Sequence, residues 1–333
     1  MIAKSLLVRP VTTKGLTKKF QMVIVVMSLV LSNTVTSQGK PSQIEISSKN
    51  TLLQVGDPLT IRLVYKYEKP LIKPATGEIV QSFSHYAHLK IEDPEGRFPM
   101  NRFPIHPMDI TLKDNLGLEY EGQFAFLYHQ GEKRILFPVP GTYTITVRGY
   151  TRISNPLSIT VEPASELQTR ALSLLSDPND YSFLEHGTYE DPNKRSVRIS
   201  RLRLVVEQCE GTIYAKWAAA RLGLEYFEDF HKKHPSFIKF KAELQKNQAE
   251  EPLFDKAHLY LTAGAKLPDQ FPIREKVLFQ LSRTEYIKNN YEKVLSLIDE
   301  MVAKYPKGDY GKRASRGKQE LQRIKKREEG QQK

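Results

Sequence analysis

The stretch NNYEKVLSLIDEMVAKYP, residues 289–306, carries a single apolar stripe. Its members follow one another at i, i+3, i+4 and i+7, the spacing of one face of an α-helix: Val294, Leu297, Ile298 and Met301. Pro306 cannot continue a helix and restricts the residue before it, so the helix is expected to end near Tyr305. The stretch therefore predicts an amphipathic helix that buries one face.

Beyond Pro163, five other segments have the same helical period and are separated by short polar gaps. They are ASELQTRALSLL, RLRLVVEQCE, YAKWAAARLGLEYFEDFHKKHP, PLFDKAHLYLTAGAKL and FPIREKVLFQLSRTEYIKN. The segment before Pro235 repeats the apolar offsets of the segment before Pro306, through Gly223, Phe227 and Phe230. The two prolines lie about two repeat lengths of roughly 34 residues apart.

Residues 196–327 thus resemble a short, divergent tetratricopeptide (TPR)-like array of helical repeats. The resemblance implies a concave surface that holds a peptide or protein partner. An ordinary helical bundle is the alternative for this half of the chain.

From Ile44 to Val161 the period changes to two, which is typical of β-strands. In LTIRLVYKY the apolar residues lie on one face: Leu59, Ile61, Leu63, Tyr65 and Tyr67. Turn signals such as VGDP and DPEG separate the strands. The segments LLQVGDPLTIRLVY and PGTYTITVRGYTRISNPLSITVEP resemble the first and last strands of immunoglobulin-like modules in secreted bacterial proteins. The resemblance implies an antiparallel β-sandwich, without the Cys…Trp…Cys pattern of antibody domains.

The net charge of +12 is concentrated at the two ends of the chain. Residues 1–40 contain six Lys or Arg and no acidic residue, residues 307–333 contain ten Lys or Arg and four acidic residues, and the middle is neutral. A nucleic-acid-binding domain usually carries a basic stripe on its folded surface. The distribution therefore argues against specific nucleic-acid binding.

A basic leader followed by FQMVIVVMSLVL, residues 20–31, predicts a signal peptide at residues 1–37 with cleavage after Ser37. The run is shorter than the roughly 20 residues that span a bilayer, a length that suits the apolar core of a signal peptide. An uncleaved N-terminal anchor is the alternative. Met22 is an alternative start. We expect an exported protein of the periplasm, the cell envelope or the extracellular space. The lack of an Asn-x-Ser/Thr acceptor favours a bacterial source.

No stretch of the sequence indicates a specific chemistry, so we assign no catalytic, cofactor-binding or metal-binding residue and expect no cofactor. The only cysteine, Cys209, is interpreted as a buried hydrophobe. The stripe around Trp217 is interpreted as part of the hydrophobic core. His231 and His234 are interpreted as residues near a helix C-terminus, where positive charge interacts favourably with the helix dipole. His85 and His88, with His106 and His129 in the same half, are candidate metal ligands, but positions three apart on a strand face opposite sides. The carboxylates of residues 177–191 are candidates for binding calcium, but their spacing fits no known loop motif and capping and turn roles explain most of them: Asp177, Asp180, Glu185, Glu190 and Asp191.

The predicted fold class is multidomain β + α. We divide the chain into a signal peptide (1–37), an immunoglobulin-like β-sandwich (38–163), a helix and polar connector (164–195), a TPR-like α-helical domain (196–327) and a basic, polar tail (328–333). The predicted function is non-catalytic binding or scaffolding of a protein or peptide partner, with the ligand-binding residues left unassigned.

Three alternatives remain open. The first is polysaccharide binding through exposed aromatic residues of the strand region, namely Tyr86, Phe98 and Phe103. The second is a hydrolase with dispersed carboxylates in an interdomain cleft. The third is binding of an acidic polymer by residues 307–333. Contact with a membrane is expected only through an uncleaved signal segment.

Overall fold

The structure, a computed structural model, describes most of the chain after residue 40. The described ranges are 41–72, 78–79, 82–83, 87–97, 100–105, 110–113, 116–126, 128–129, 134–149, 152–187, 192–247, 251–306 and 308–331. The predicted signal peptide lies outside these ranges.

Thirteen strands are present in the described part of the N-terminal half. They are β1 (Gln43–Ser47), β2 (Leu52–Gln54), β3 (Leu59–Lys66), β4 (Ser82–Phe83), β5 (Ala87–Glu92), β6 (Met100–Ile105), β7 (Ile110–Leu112), β8 (Glu119–Phe126), β9 (Tyr128–His129), β10 (Arg134–Ile135), β11 (Gly141–Gly149), β12 (Arg152–Ile153) and β13 (Leu157–Glu162). One sheet has the order β1-β3-β8-β7-β4, and a second has the order β2-β13-β11-β5-β6 with β12 paired to β11. Strands β9 and β10 form a separate pair.

The alternating apolar residues of the strands form one hydrophobic cluster. Leu59, Leu63 and Tyr65 of β3 are completely buried, as the period-two pattern predicted. Strand β3 pairs antiparallel with β8, whereas β2 pairs parallel with β13.

Nine helices follow in the described part of the chain. They are α1 (Glu166–Leu174), α2 (Pro178–His186), α3 (Pro192–Gln208), α4 (Ile213–Lys233), α5 (Phe237–Asn247), α6 (Pro252–Gly264), α7 (Pro272–Ile287), α8 (Tyr291–Lys304) and α9 (Asp309–Gln331). Side-chain caps define several starts, because the hydroxyl oxygens of Ser165 and Thr212 and the carboxylate of Asp177 accept hydrogen bonds from first-turn amides. The helix predicted from residues 289–306 is α8, and its four stripe residues are all buried.

Two glycines allow α4 and α6 to approach each other closely. A Cβ at Gly223 would lie 2.6 Å from the backbone nitrogen of Leu261, and a Cβ at Gly264 would lie 2.4 Å from the Cα of Ala220. Helix α4 consequently packs most extensively on α6 and not on α5, the next helix along the chain. Helix α5 contacts α7 and meets the end of α4 through aromatic rings, such as Phe230 against Phe240.

The helices also pack against the strands. The hydroxyl of Tyr214 on α4 donates a hydrogen bond to the carbonyl oxygen of Gly56, and the amide of Gln168 on α1 donates to the carboxylate of Asp57. Ala125 of β8 packs against the hydrophobic cluster of the helices. Thr60, which the alternating pattern placed on an outer face of β3, is only 6% exposed.

The predicted fold class, an immunoglobulin-like β-sandwich followed by a TPR-like array, is therefore wrong. The structure is mixed α/β, with small sheets and with about 51% of the described residues in helices. The strand pattern predicts which side chains share a face of a strand. It does not predict that helices cover part of the opposite face, or that β2 pairs parallel with β13. The helical pattern likewise does not report that α4 packs on α6 across the intervening α5.

Within the described residues, no helix combines the length and the apolar character needed to cross a membrane.

Candidate functional site

An open groove of about 330 Å³ lies between α5, α7, α8 and α9. Apolar side chains form most of its lining, among them Phe237, Phe279, Val294, Ile298 and Leu321. Two arginines, Arg283 of α7 and Arg313 of α9, also line it. No acidic residue contributes to the lining that the structure describes, so the groove combines an apolar surface with positive charge.

The helix spacing explains how these side chains meet. Phe279, Arg283 and Tyr286 lie at i, i+4 and i+7 on α7 and therefore share one face of the helix. On α9, Arg313, Gly317 and Leu321 follow at intervals of four. The two faces border the groove, and two residues of the buried α8 stripe lie between them.

The guanidinium of Arg283 is held among aromatic rings. Its central carbon lies 4.0 Å from the ring centroid of Phe237, 5.4 Å from that of Phe227 and 5.8 Å from that of Phe279. One nitrogen donates a hydrogen bond of 3.2 Å to the side-chain oxygen of Gln280. Loss of solvent around the group lowers the pKa of Arg283 below the usual arginine value.

A third cation, the ammonium of Lys241, lies beside Tyr286, which also lines the groove. The ammonium of Lys241 on α5 lies 4.1 Å from the ring centroid of Tyr286 and donates a hydrogen bond of 2.8 Å to the hydroxyl of Tyr291. These contacts bring α5 against the α7–α8 hairpin, so the positive charges of the site come from three different helices.

A second cleft, about 510 Å³ in volume, separates β8 from the ends of α7 and α8. Its lining includes two glutamates, Glu121 and Glu275, the residue type on which the hydrolase alternative depends. Glu121 accepts two hydrogen bonds from the guanidinium of Arg62, at 2.6 and 2.8 Å. Glu275 accepts the backbone N–H of Gly311 at 2.8 Å and so caps the start of α9. Structural contacts therefore account for both carboxylates.

Among the predicted carboxylates that the structure describes, Asp177 and Asp180 take structural roles. Asp177 caps α2, and the hydrogen bond from the backbone N–H of Asn179 is the main cause that lowers its pKa. Asp180 is buried and accepts a hydrogen bond of 2.6 Å from Arg201, although burial raises its pKa. The backbone carbonyl of Glu185 accepts a hydrogen bond from Arg221. The other two members of the predicted group, Glu190 and Asp191, lie outside the described residues.

The histidines whose side chains the structure describes are not brought together into one site. His85 and His106 lie outside the described residues, as does the side chain of His129, and His88 is exposed on β5. His231 stacks on Phe237, with ring centroids 4.8 Å apart, and His234 lies 3.2 Å from the carboxylate of Glu251. The described side chains contain no group of three or more His, Cys, Asp or Glu that could hold a metal ion.

Several interpretations from the sequence are confirmed. Cys209 is completely buried, and loss of solvent raises the pKa of its thiol. Trp217 is buried and packs edge-on against Phe271. The aromatic residues proposed for polysaccharide binding cannot be placed in this way, because Tyr86, Phe98 and the side chain of Phe103 lie outside the described residues.

Arg283, Phe279 and Arg313 were not identified from the sequence. The available signal was the i, i+4 pair of an aromatic residue and an arginine on α7, but such pairs are common on exposed helix faces. Only the packing of α5 and α9 beside α7 turns this face into a groove.

Comparison with known proteins does not identify a family. No family model matches the chain, and no curated protein sequence matches it. Among solved structures, 37% of the chain is similar to a β-glucosidase from Listeria innocua in complex with isofagomine, with 12% identity, a TM-score of 0.25 and 16% coverage of the glucosidase.

Two other solved structures are similar to this chain with TM-scores that are equally low. The sporulation control protein Spo0M from Bacillus subtilis matches over 41% of this chain and 56% of its own, with 13% identity and a TM-score of 0.21. The alkylpurine DNA glycosylase AlkC from Pseudomonas fluorescens, bound to DNA that contains an abasic site analogue, matches over 45% and 44%, with 8% identity and a TM-score of 0.23. Scores this low carry no argument about fold or function.

Proposed function

We propose that this protein is a non-catalytic binding or scaffolding protein that holds a peptide segment of a protein partner in the groove between α5, α7, α8 and α9. The observation that carries the proposal is the lining of that groove, which joins apolar side chains to two arginines without a described acidic residue. A surface of this kind complements a segment that presents apolar and acidic side chains together.

The size of the groove supports a peptide as the occupant. Its volume of about 330 Å³ accommodates a few side chains, and its open form leaves room for the backbone that carries them. Arginine and aromatic residues, which make up much of the lining, are the types that contribute most to binding energy at protein interfaces.

The peptide site is tested with a random library of dodecapeptides selected on the immobilised full-length chain. A Gly317→Trp variant provides the occlusion test, because a Cβ at Gly317 meets no atom within 4 Å and the position lines the groove. Ser315→Trp is the matched control, since Ser315 is exposed on the same helix and does not line the groove.

Selected peptides should lose at least roughly tenfold in affinity for Gly317→Trp and retain their affinity for Ser315→Trp, a difference of about 1.4 kcal/mol in binding. Equal binding to both variants, or a selection that yields no binder, overturns the proposal. Retention of the chain on a glycan array, with no peptide binder, would favour polysaccharide binding instead.

The place of action is part of the same proposal. The basic leader and the apolar run at residues 20–31 support export to the periplasm, the cell envelope or the extracellular space. Expression in a bacterial host followed by fractionation tests this. Export requires a mature chain that begins at residue 38 outside the cytoplasm, and full-length chain confined to the cytoplasm would contradict it.

A further inference from the structure

Arg283 differs in its partners from three other arginines that lose solvent on folding, each of which is paired with a glutamate. Arg62 is paired with Glu121 at 2.6 Å, Arg195 with Glu225 at 2.9 Å, and Arg274 with Glu300 at 2.5 Å. None of the ion pairs formed among the described residues includes Arg283. Within the part of the chain that the structure describes, its single hydrogen bond goes to the neutral side chain of Gln280.

The difference in partners shifts the pKa values of Arg62 and Arg283 in opposite directions. The hydrogen bond to Glu121 is the main cause that raises the pKa of Arg62, whereas loss of solvent alone lowers the pKa of Arg283. A guanidinium has five N–H donors, and one of those of Arg283 is used within the described structure. The cation is therefore partly desolvated by aromatic rings, and no described residue supplies a compensating negative charge.

We infer that Arg283 is the specificity-determining residue of the groove and binds a side-chain carboxylate of the partner peptide. The inference rests on the function proposed above. A carboxylate matches the fork of the guanidinium and forms two parallel hydrogen bonds with it. Phe237 stacks against one side of the guanidinium and restricts its orientation, which reduces the entropy lost when the carboxylate binds.

The neighbouring residues define the rest of the recognised pattern. Phe279 belongs to the same groove wall as Arg283, and Val294 and Ile298 form its apolar floor. A bound segment therefore places an apolar side chain next to the acidic one. Arg313, which lines the groove from α9, attracts negative charge and so favours acidic over basic segments.

The test uses peptides selected on the full-length chain and copies of them in which each Asp or Glu is replaced by Asn or Gln. Binding of both sets is measured for the unmodified chain and for Arg283→Gln. Arg316→Gln is the charge-matched control, because Arg316 is exposed on α9 and does not line the groove. Fluorescence of Trp217, the only tryptophan, checks that each variant remains folded.

Arg283→Gln should weaken binding of the acidic peptides by roughly 10- to 100-fold and leave binding of the amide peptides unchanged. Arg316→Gln should leave the affinity of the acidic peptides within about twofold at 0.15 M salt, because exposed charges are screened. Arg283→Lys should restore only part of the affinity, since an ammonium lacks the fork geometry. Peptides with amidated C-termini should bind as well as peptides with a terminal carboxylate.

Two results separate this inference from the proposed function. If Gly317→Trp abolishes peptide binding while Arg283→Gln does not, the groove binds peptides and the inference about Arg283 is wrong. If Gly317→Trp also leaves binding unchanged, the proposed function itself fails. Loss of binding on C-terminal amidation alone would overturn the assignment of a side-chain carboxylate.

Discussion

The hydroxyl of Tyr214 on α4 donates a hydrogen bond of 2.5 Å to the backbone carbonyl oxygen of Gly56, in the turn between β2 and β3. Gly56 adopts a positive φ of 85°, which non-glycine residues rarely adopt, and a Cβ there would lie 2.7 Å from Leu172 of α1. One tight turn of the strand region thus contacts two helices. The strands and the helices are joined through a specific buried polar contact as well as through apolar packing.

Replacing Tyr214 by Phe should therefore lower the free energy of unfolding by about 1–3 kcal/mol, because the buried Gly56 carbonyl loses its donor. Denaturant unfolding followed by Trp217 fluorescence measures the change. Tyr260→Phe is the control, since Tyr260 is half-buried on α6 and its hydroxyl makes no hydrogen bond among the described residues. Equal effects of the two substitutions would contradict a structural role for the Tyr214 hydroxyl.

The close approach of α4 and α6 leads to a second prediction, which concerns the stability of glycine variants. Gly264→Ala should destabilise the protein by about 1–3 kcal/mol, because its methyl group would lie 2.4 Å from the Cα of Ala220 and backbone cannot move aside easily. Gly317→Ala on α9 should have the opposite sign and stabilise by about 0.5–1 kcal/mol, since its methyl group meets no atom within 4 Å. Thermal and denaturant unfolding of the two variants provide the comparison.

Glu275 should contribute more stability in acid than near neutral pH, which is the less common direction for a carboxyl group. Burial raises the pKa of Glu275 above 4.5, so the folded protein holds this proton more tightly than the unfolded chain does. Its contribution to stability is therefore largest below the unfolded pKa and decreases as pH rises through the folded pKa. The free energy of unfolding of the wild type minus that of Glu275→Gln should decrease between about pH 4 and pH 7.

The substitution Glu275→Gln keeps a side-chain carbonyl oxygen that can accept the N–H of Gly311, so the cap of α9 is expected to remain. A difference between wild type and variant that increases with pH would show that the interactions with the α9 amides dominate over burial.

Glu251 should contribute more stability near neutral pH than in acid, which is the opposite of Glu275. The hydrogen bond from the Lys233 ammonium is the main cause that lowers the pKa of Glu251, with a further contribution from His234. A lowered folded pKa contributes stability above the unfolded value, and this contribution is lost as pH falls through the folded pKa, below 4.5. Glu251→Gln should therefore cost up to about 1 kcal/mol at pH 7 and progressively less in acid.

Urea unfolding of the wild type and Glu251→Gln across this pH range checks the prediction. Added salt should reduce the difference at pH 7, because the side chain of Lys233 is 56% exposed and its charge is screened. A difference that stays constant from pH 7 into acid would contradict the assigned ion pair.

Local periodicity predicted α8 and the buried face of β3, whereas the helices α2 and α5 were not predicted from the sequence. The stripe of α8 is buried as the i, i+3, i+4, i+7 spacing required, and the apolar face of β3 is buried as the period-two spacing required. Asp177 and Thr212 cap the starts of α2 and α4 through their own side chains, which is also a local effect. These features depend on residues within a few positions of each other, which is the range over which sequence patterns carry information.

The overall architecture and the candidate site were not predictable in this way. The pairing of α4 with α6, the parallel pairing of β2 with β13 and the contact of Tyr214 with Gly56 join residues far apart in the chain. Arg283 illustrates the same limit, because its position on one helix face was readable but its desolvation depends on Phe237, from α5.

The amino-acid sequence alone determined several of the elements, such as α8 and β3, their buried faces, the charge at the two ends and the predicted export signal. The tertiary structure alone decided which faces meet, because the free energy of burial depends on apolar area and shape and not on the order of the chain. It therefore decided that an arginine of α7 lies in an apolar groove beside aromatic rings, where its charge has no acidic partner among the described residues.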